Sequence, residues 1–329
     1  MSDPYDWRAL HARRMAALAP HVREKLEARV AFKPFEEMGV VGFRSMMDDY
    51  TSSVPPSPVP YEDVSVPGPA GPIPTRIFKP NGANPEWGAC LYLHGGGFIG
   101  GGGLDGYSAA CGTMAEKTGC VVVFPDFRLP PEHKFPASVE DCWAVAQWMG
   151  DNGAAYGFNP DRIAVGGGCT GATHATVVAL MARDAGRPRI VFQWLFDAFL
   201  DARGDYQSHE ENGEGYQLSE ADNQYIIRRY LSAPQERWDW RVSPVLAPSL
   251  RGAPPTLIVA SEFDILRDEM AFYANRLADA GVDVDFRCYP MEGHSFSFGE
   301  DETQLSDAGR DAKAALLNGL RKALKGAQA

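Results

Sequence analysis

Residues 165–174 read VGGGCTGATH, and this short stretch decides the fold. It continues an apolar strand-like run, RIAV at 162–165, and leads into a helical run, ATHATVVALMARDAG at 172–186. A nucleophile on a strand-to-helix turn needs small residues on both sides, because the turn is sharp and strained. The pattern predicts such a turn with Cys169 at its centre and with Gly167 and Gly171 as its small flanking residues.

Two interpretations of Cys169 follow from its position. A helix N-terminus stabilises the negative charge of a thiolate, so a cysteine at this point of a turn can be a reactive nucleophile. The alternative is a buried structural cysteine that only fills space at a tight turn. The combination of strand, glycine spacing and helix favours the nucleophile.

The chain around this turn alternates between apolar runs and helical periodicity. Continuous apolar strands that alternate with helices indicate a mostly parallel sheet covered on both faces, an α/β fold. The expected strands are ACLYLHGG, VVVFPDF, RIAVGG, IVFQWLF, TLIVASEFD and VDFRCYP, and helices are expected at 105–118, 137–150 and after Cys169. Apolar residues of 10–26 and the segment FEEMGVVGFRSMMDDY predict two further helices near the start.

Composition narrows the classes of partner. The 329 residues carry a net charge of −12, which argues against nucleic acid and against an anionic membrane surface. No apolar run reaches the length of a membrane span, and the start lacks the apolar core of a signal peptide. The six cysteines include no C-x-x-C pair, which argues against a zinc site and fits a reducing cytoplasm.

A glycine-rich loop follows the first of the central strands. His94 is followed by Gly95, Gly96, Gly97 and then a phenylalanine. Glycines let the backbone approach a ligand and turn its N–H groups inward, where they can stabilise a developing oxyanion. The loop lacks the Lys-Ser/Thr ending of a phosphate loop, so nucleotide binding is not indicated. A tight turn without a ligand is the simpler alternative.

A candidate acid and a candidate base follow later strands. Asp264 ends TLIVASEFD, and His294 follows VDFRCYP. The chain order nucleophile, acid, base is the order expected of hydrolases with this kind of turn. Asp268 is the rival acid, but its place at a helix start suits a helix-capping charge better. His174, on the nucleophile helix, is expected to pack inside the protein.

Together these motifs resemble the hormone-sensitive-lipase-like α/β-hydrolases, the bacterial family IV carboxylesterases. The motifs are HGGGF at 94–98, DFRLPPEHKFPA at 126–137, NPDRIAVGG at 159–167, EFDILRDE at 262–269 and EGHSF at 292–296. The resemblance implies one α/β-hydrolase domain over 1–329, with a catalytic core at about 60–201 and 246–329. It implies a helical cap from about 1–50 and from an insertion at about 202–245.

The resemblance also implies roles for individual residues. It places the nucleophile on Cys169, the acid on Asp264 and the base on His294. The oxyanion donors would be the backbone N–H groups of Gly96, Gly97 and Thr170. His94, Gly95, Gly167 and Gly171 would shape the loop and the turn. The family needs no cofactor or metal and acts on small acyl substrates, and a homodimer is one option by analogy.

This sequence departs from the family at the site itself. The family's turn is Gly-Asp-Ser-Ala-Gly-Gly, whereas residues 167–172 read Gly-Gly-Cys-Thr-Gly-Ala. The strand that usually ends in Tyr-Pro here ends in Asp197 and Ala198, and the family's His-Gly-Phe becomes His294, Ser295 and Phe296. A thiol forms a thioester intermediate, which favours activated esters, lactones, thioesters or acyl transfer.

Three functional hypotheses remain open at this point. The first is covalent catalysis by Cys169, His294 and Asp264 on a carboxylic ester, lactone or thioester. The second is a non-hydrolytic acyltransferase, cyclase or lyase that uses the same loop and His294 as a base. The third is a ligand-binding protein without turnover, against which the intact His294, Asp264 and glycine loop argue. An acyl adduct on Cys169 would support covalent acyl chemistry, whether hydrolysis or transfer, because a lyase should never form one.

Overall fold

Eight strands form a single sheet in the computed structural model, which describes residues 33–52, 56–297 and 305–325 and a few isolated positions before them. The strands are β1 Tyr61–Gly68, β2 Gly71–Phe78, β3 Ala89–Leu93, β4 Val121–Pro125, β5 Ile163–Gly168, β6 Ile190–Phe196, β7 Thr256–Phe263 and β8 Val284–Gly293. The helical face predicted within residues 10–26 lies almost entirely outside the described residues. The predicted helix in FEEMGVVGFRSMMDDY is present.

The sheet runs in the order β1-β2-β4-β3-β5-β6-β7-β8. The pairs β1–β2 and β2–β4 are antiparallel, and every pair from β4–β3 to β7–β8 is parallel. The central strands are buried along their whole length, which explains why they read as continuous apolar runs. The proline-rich stretch after residue 56 becomes the antiparallel hairpin of β1 and β2.

Helices cover both faces of the sheet. They are α1 Phe35–Ser52, α2 Ser108–Thr118, α3 Ala137–Asn152, α4 Thr170–Ala185, α5 Gln207–Asn212, α6 Glu220–Tyr230, α7 Arg267–Asp279 and α8 Asp307–Lys325. Apolar residues of α3, α4 and α7 form one buried layer with the sheet, and those of α2 and α8 form a second layer. The prediction of a mostly parallel sheet flanked by helices is confirmed.

The insertion after β6 packs with the first described helix. The Phe35 N–H donates to Oδ1 of Asp222 at the start of α6 (2.7 Å), and Glu36 of α1 forms an ion pair with Arg228 of α6. The division into a core and a cap stays a prediction. Across the described ranges, no helix is both long and apolar enough to cross a membrane.

The strand register brings the predicted site residues to one edge. Leu93 of β3 pairs with Gly167 of β5, and Phe263 of β7 pairs with Gly293 of β8. The glycine loop therefore begins beside the nucleophile turn, and Asp264 and His294 each follow directly after paired residues. Ligand sites of open parallel sheets lie at this carboxyl edge.

Candidate active site

The turn at Cys169 has the strained geometry that the sequence predicts. Cys169 lies between β5 and α4 with φ 52° and ψ −126°, a conformation that non-glycine residues rarely adopt. Its N–H donates to the carbonyl oxygen of Phe196 on the adjacent strand (2.8 Å). Cys169 is partly exposed although the residues on either side are buried. The turn thus presents the thiol at the surface of the site.

The flanking glycines are required by the close approach of β3. A Cβ atom on Gly171 would lie 2.1 Å from the carbonyl oxygen of Leu93, and one on Gly167 would lie 2.2 Å from the same oxygen. Any side chain at either position would push β3 away from the turn. The small residues around Cys169 therefore have a steric cause.

Asp264 and His294 form a buried pair beside this turn. Nδ1 of His294 is 2.7 Å from Oδ2 of Asp264, and the other oxygen of Asp264 accepts from the Leu266 N–H (3.0 Å). This bond leaves Nε2 of His294 for the thiol of Cys169, with which His294 also interacts. Burial opposes a charge on His294, but the carboxylate of Asp264 and the sulfur of Cys169 raise its pKa well above the usual value.

The structure thus brings Cys169, His294 and Asp264 together in the predicted order. Asp268, the rival acid, instead forms an ion pair with Arg267 at the start of α7 and accepts from the Ser208 N–H (2.9 Å). It occupies the helix-start position expected from the sequence. The catalytic roles of the three clustered residues stay predictions.

The glycine loop faces the turn and is tied to it by a side chain. Gly96 and Gly97 have φ values of 119° and 58°. Over the described ranges, neither N–H has a hydrogen-bond acceptor within the protein. The next N–H, of Phe98, donates to Oγ1 of Thr170 (3.1 Å). The Thr170 hydroxyl therefore fixes the loop against α4, a role that sequence reasoning missed because it considered only the backbone of this residue.

We expect Thr170→Ala to lower kcat/KM for ester turnover by roughly tenfold to a hundredfold, because small displacements of the oxyanion donors are costly. Thr170→Ser keeps the hydroxyl and should retain most of the activity. Steady-state kinetics of both variants provides the measurement. Equal activity of Thr170→Ala and wild type would show that the bond to the Phe98 N–H does not position the loop.

His94 contacts the backbone of the glycine loop. Its Nδ1 lies 2.8 Å from the carbonyl oxygen of Gly95, and its ring stacks on Phe127 at a centroid distance of 4.2 Å. Burial lowers the pKa of His94 to about 4, so the ring is neutral at physiological pH. A neutral, stacked imidazole suits a structural role rather than acid–base chemistry.

His174 packs inside the protein, against the rings of Phe98 and Phe127 (5.6 and 5.3 Å between centroids). Burial, followed by repulsion from the His94 ring when that ring is protonated at low pH, lowers the pKa of His174 to about 3. The native state therefore resists protonation that the unfolded chain accepts near the ordinary value of 6.5. Stability is consequently lost as the pH falls below that value.

This difference predicts the pH dependence of a His174→Leu variant. Between pH 6 and 4, the free energy of unfolding of the wild type should fall more steeply than that of the variant, by about 1.4 kcal/mol per pH unit. Denaturant unfolding at several pH values measures both slopes. Parallel slopes would mean that His174 is protonated in the native state.

An apolar layer covers the glycine loop. Ile226 of α6 approaches Gly97 so closely that an added Cβ there would lie 3.0 Å from its side chain. Phe43 of α1, Ile99 and Tyr225 complete this buried cluster. Of the aromatic residues considered from sequence, Trp194 and Tyr216 are buried, Tyr107 lies beside His94, and Trp7 lies outside the described residues.

A third acidic residue stands beside the pair. Ligand atoms of Asp197, Asp264 and His294 lie within 4.8 Å of one another, and all three residues are buried. Each oxygen of Asp197 has a protein partner, Ser261 Oγ or the Ser295 N–H, and so does each oxygen of Asp264. The sequence marked Asp197 only as a departure from the family, without a role.

Comparison with known proteins agrees with this architecture. A family model described as the alpha/beta hydrolase fold matches residues 90–298, and the chain belongs to this family. Carboxylic ester hydrolase LipN of Mycobacterium tuberculosis is 38% identical over 242 residues, which cover 71% of this chain and 63% of that relative. The match therefore spans less than two thirds of the length of LipN.

Two further comparisons extend over more of both chains. Esterase LipI of the same organism is 35% identical over 285 residues, covering 82% of this chain and 84% of that relative. The solved structure of an esterase from Pyrobaculum calidifontis superposes with a TM-score of 0.83 at 32% identity, covering 92% of this chain and 98% of the other. The resemblance to hormone-sensitive-lipase-like carboxylesterases is confirmed.

Proposed function

We propose that this protein hydrolyses carboxylic esters through a thioester formed on Cys169. One observation carries the proposal: the thiol stands on a positive-φ turn next to the hydrogen-bonded pair of His294 and Asp264. A nucleophile, a base and an orienting acid in mutual contact are the parts that covalent acyl chemistry needs. The esterase names of the similar proteins support the same reaction class.

Acylation uses the three residues in turn. The proton of the Cys169 thiol first moves to Nε2 of His294, and Sγ of the resulting thiolate then attacks the carbonyl carbon of the ester. The N–H groups of Gly96, Gly97 and Thr170 stabilise the resulting oxyanion. When the intermediate collapses, the bond to the alcohol oxygen breaks and that oxygen takes the proton from His294. The products are the free alcohol and a thioester on Cys169.

Deacylation runs the same steps with water. His294 takes a proton from a water molecule, and the water oxygen attacks the thioester carbon. The second tetrahedral intermediate expels the sulfur of Cys169, which recovers the proton from His294. Asp264 holds Nδ1 throughout and stabilises the imidazolium that forms in each half of the reaction.

The apolar layer over the glycine loop favours a substrate with an apolar portion. Phe43 and Ile226 lie over the glycine loop, and three methionines of α1 pack against the same cluster: Met38, Met46 and Met47. Methionine side chains adapt to irregular shapes, because they are unbranched and have several rotatable bonds. We infer that esters with small to medium apolar groups are accepted.

Hydrolysis of p-nitrophenyl butyrate tests this function. The expected result is release of p-nitrophenol and butyric acid in equal amounts without any added acceptor. If the acyl group is instead recovered on an added amine, thiol or alcohol, and water gives little product, the protein is an acyltransferase. If neither p-nitrophenol nor an acyl adduct forms with oxygen esters, lactones or thioesters, the hydrolase proposal is wrong.

A further inference from the structure

Asp197 occupies a place next to the nucleophile turn that the mechanism above does not use. It follows β6 directly, after Phe196, which pairs with Gly168 at the end of β5. Asp197 and Cys169 are therefore neighbours at the carboxyl edge of the sheet. Asp197 is fully buried and has a φ of 44°, a left-handed conformation that aspartate and asparagine tolerate better than most residues.

Its carboxylate joins β7 to the turn that follows β8. Oδ1 accepts from the hydroxyl of Ser261 on β7 (2.7 Å), and Oδ2 accepts from the N–H of Ser295 (2.8 Å). Ser295 directly follows His294 and has a φ of 62°. Asp197 thereby holds the turn that carries the imidazole of His294, and both bonds favour the ionised carboxylate.

The charges around Asp197 give it a second role. The groups that face it are Asp264 after β7, His294 after β8 and Cys288 on β8, with Cys169 beyond the imidazole. Burial and the charge of Asp264 raise the pKa of Asp197 to about 7, against the opposite effect of His294 and the two hydrogen bonds. The cation on His294 is thus the counter-charge that lets this buried carboxylate ionise.

We propose that Asp197 is a positioning residue that holds the His294 turn and stabilises the imidazolium form of His294, and thereby the ion pair of this imidazolium with the Cys169 thiolate. The effect of Asp197 on catalysis depends on the thiol mechanism of the proposed function. A serine nucleophile requires a neutral histidine as base. A thiol instead reacts from an ion pair with the imidazolium, so a second carboxylate behind the imidazole suits a thiol.

The test is a pH titration of His294 by nuclear magnetic resonance in protein with ¹⁵N-labelled histidine, its signal assigned by its loss in His294→Gln. Asp197→Asn keeps the shape but removes the charge; its amide oxygen can accept from the Ser295 N–H while its NH2 group donates to the Ser261 hydroxyl oxygen. Its His294 midpoint should fall by about one pH unit or more. The alkaline limb of the kcat/KM profile should move in the same direction. Asp268→Asn removes one carboxylate outside the site and is the matched control. It should leave the His294 midpoint and the alkaline limb of the kcat/KM profile unchanged.

An unchanged His294 midpoint in Asp197→Asn would overturn the proposal, because a merely structural role does not alter this titration. If Asp197→Asn does not fold, Ser261→Ala carries the same test. It removes one bond that favours the ionised carboxylate and should lower the His294 midpoint by a smaller amount, whereas no shift would again overturn the proposal. A shifted midpoint in a protein that forms no thioester would support the role of Asp197 and refute the thiol mechanism.

Discussion

Cys169→Ala is expected to lower kcat/KM for p-nitrophenyl butyrate by about 10⁴-fold or more, because it removes the atom that forms the acyl-enzyme. The oxyanion donors and the binding surface remain, so a small residual rate above water is expected. The alanine fits the turn without strain beyond that of the present side chain. Thermal unfolding should therefore stay close to that of the wild type.

The matched control for this substitution is Cys288→Ala. Cys288 is exposed on β8 and is a free thiol like Cys169, but it lies outside the nucleophile turn. Its removal should leave turnover near the wild-type rate. If Cys169→Ala keeps substantial activity, or if both variants lose activity equally, the nucleophile is not Cys169.

Cys169→Ser adds a finer comparison. A serine hydroxyl at this turn depends on a neutral His294 to remove its proton, whereas Asp264 and its surroundings favour the imidazolium. We expect Cys169→Ser to be slower than the wild type with oxygen esters and to show its activity at higher pH. A faster serine variant would mean that ester hydrolysis is the ancestral activity and that the cysteine serves other acyl chemistry.

Asp264→Asn is the second substitution with a large expected effect, a fall in kcat of about 10³- to 10⁴-fold. The asparagine amide would donate to Nδ1 of His294, which moves the ring proton to Nε2. In that tautomer Nε2 cannot accept the thiol proton. Nδ1 of His294 lies 2.7 Å from Oδ2 of Asp264, and the Asp264 side chain is completely buried, so the asparagine has little room to turn away from the imidazole.

Asp268→Asn is the matched control, since it makes the same chemical change four residues along the chain. Asp268 interacts with Arg267 and the Ser208 N–H rather than with His294, so its loss should cost far less activity. Kinetics and unfolding of the two variants should be compared together. Equal losses of activity would indicate that the substitutions act through stability and that Asp264 does not orient the base.

The sequence predicted the position of those site residues that directly follow a strand. Cys169, Asp264 and His294 each follow an apolar strand, and the carboxyl ends of parallel strands meet at one edge. Chain order and the flanking glycines were therefore enough to predict that these residues lie together. The mostly parallel sheet followed from the same alternation of apolar runs and helices.

Other features depend on contacts between distant segments, which no local pattern encodes. The hydroxyl of Thr170 meets the Phe98 N–H only because β3 passes closely beside the turn. The significance of Asp197 depends on Ser261 of β7 and Ser295 of the turn after β8, which both donate to its carboxylate. The sequence showed that residue 197 was unusual, but only the fold shows that its carboxylate reaches the His294 turn.

The most direct test of the thiol mechanism is the mass of the wild-type protein quenched with acid during turnover of p-nitrophenyl butyrate, followed by peptide mapping. The account predicts a transient increase of one butyryl group on the peptide that contains Cys169. The adduct should disappear with hydroxylamine, as thioesters do, and should accumulate in His294→Ala only slowly. Rapid turnover with no acyl group on Cys169, or with the acyl group on another side chain, would contradict the account.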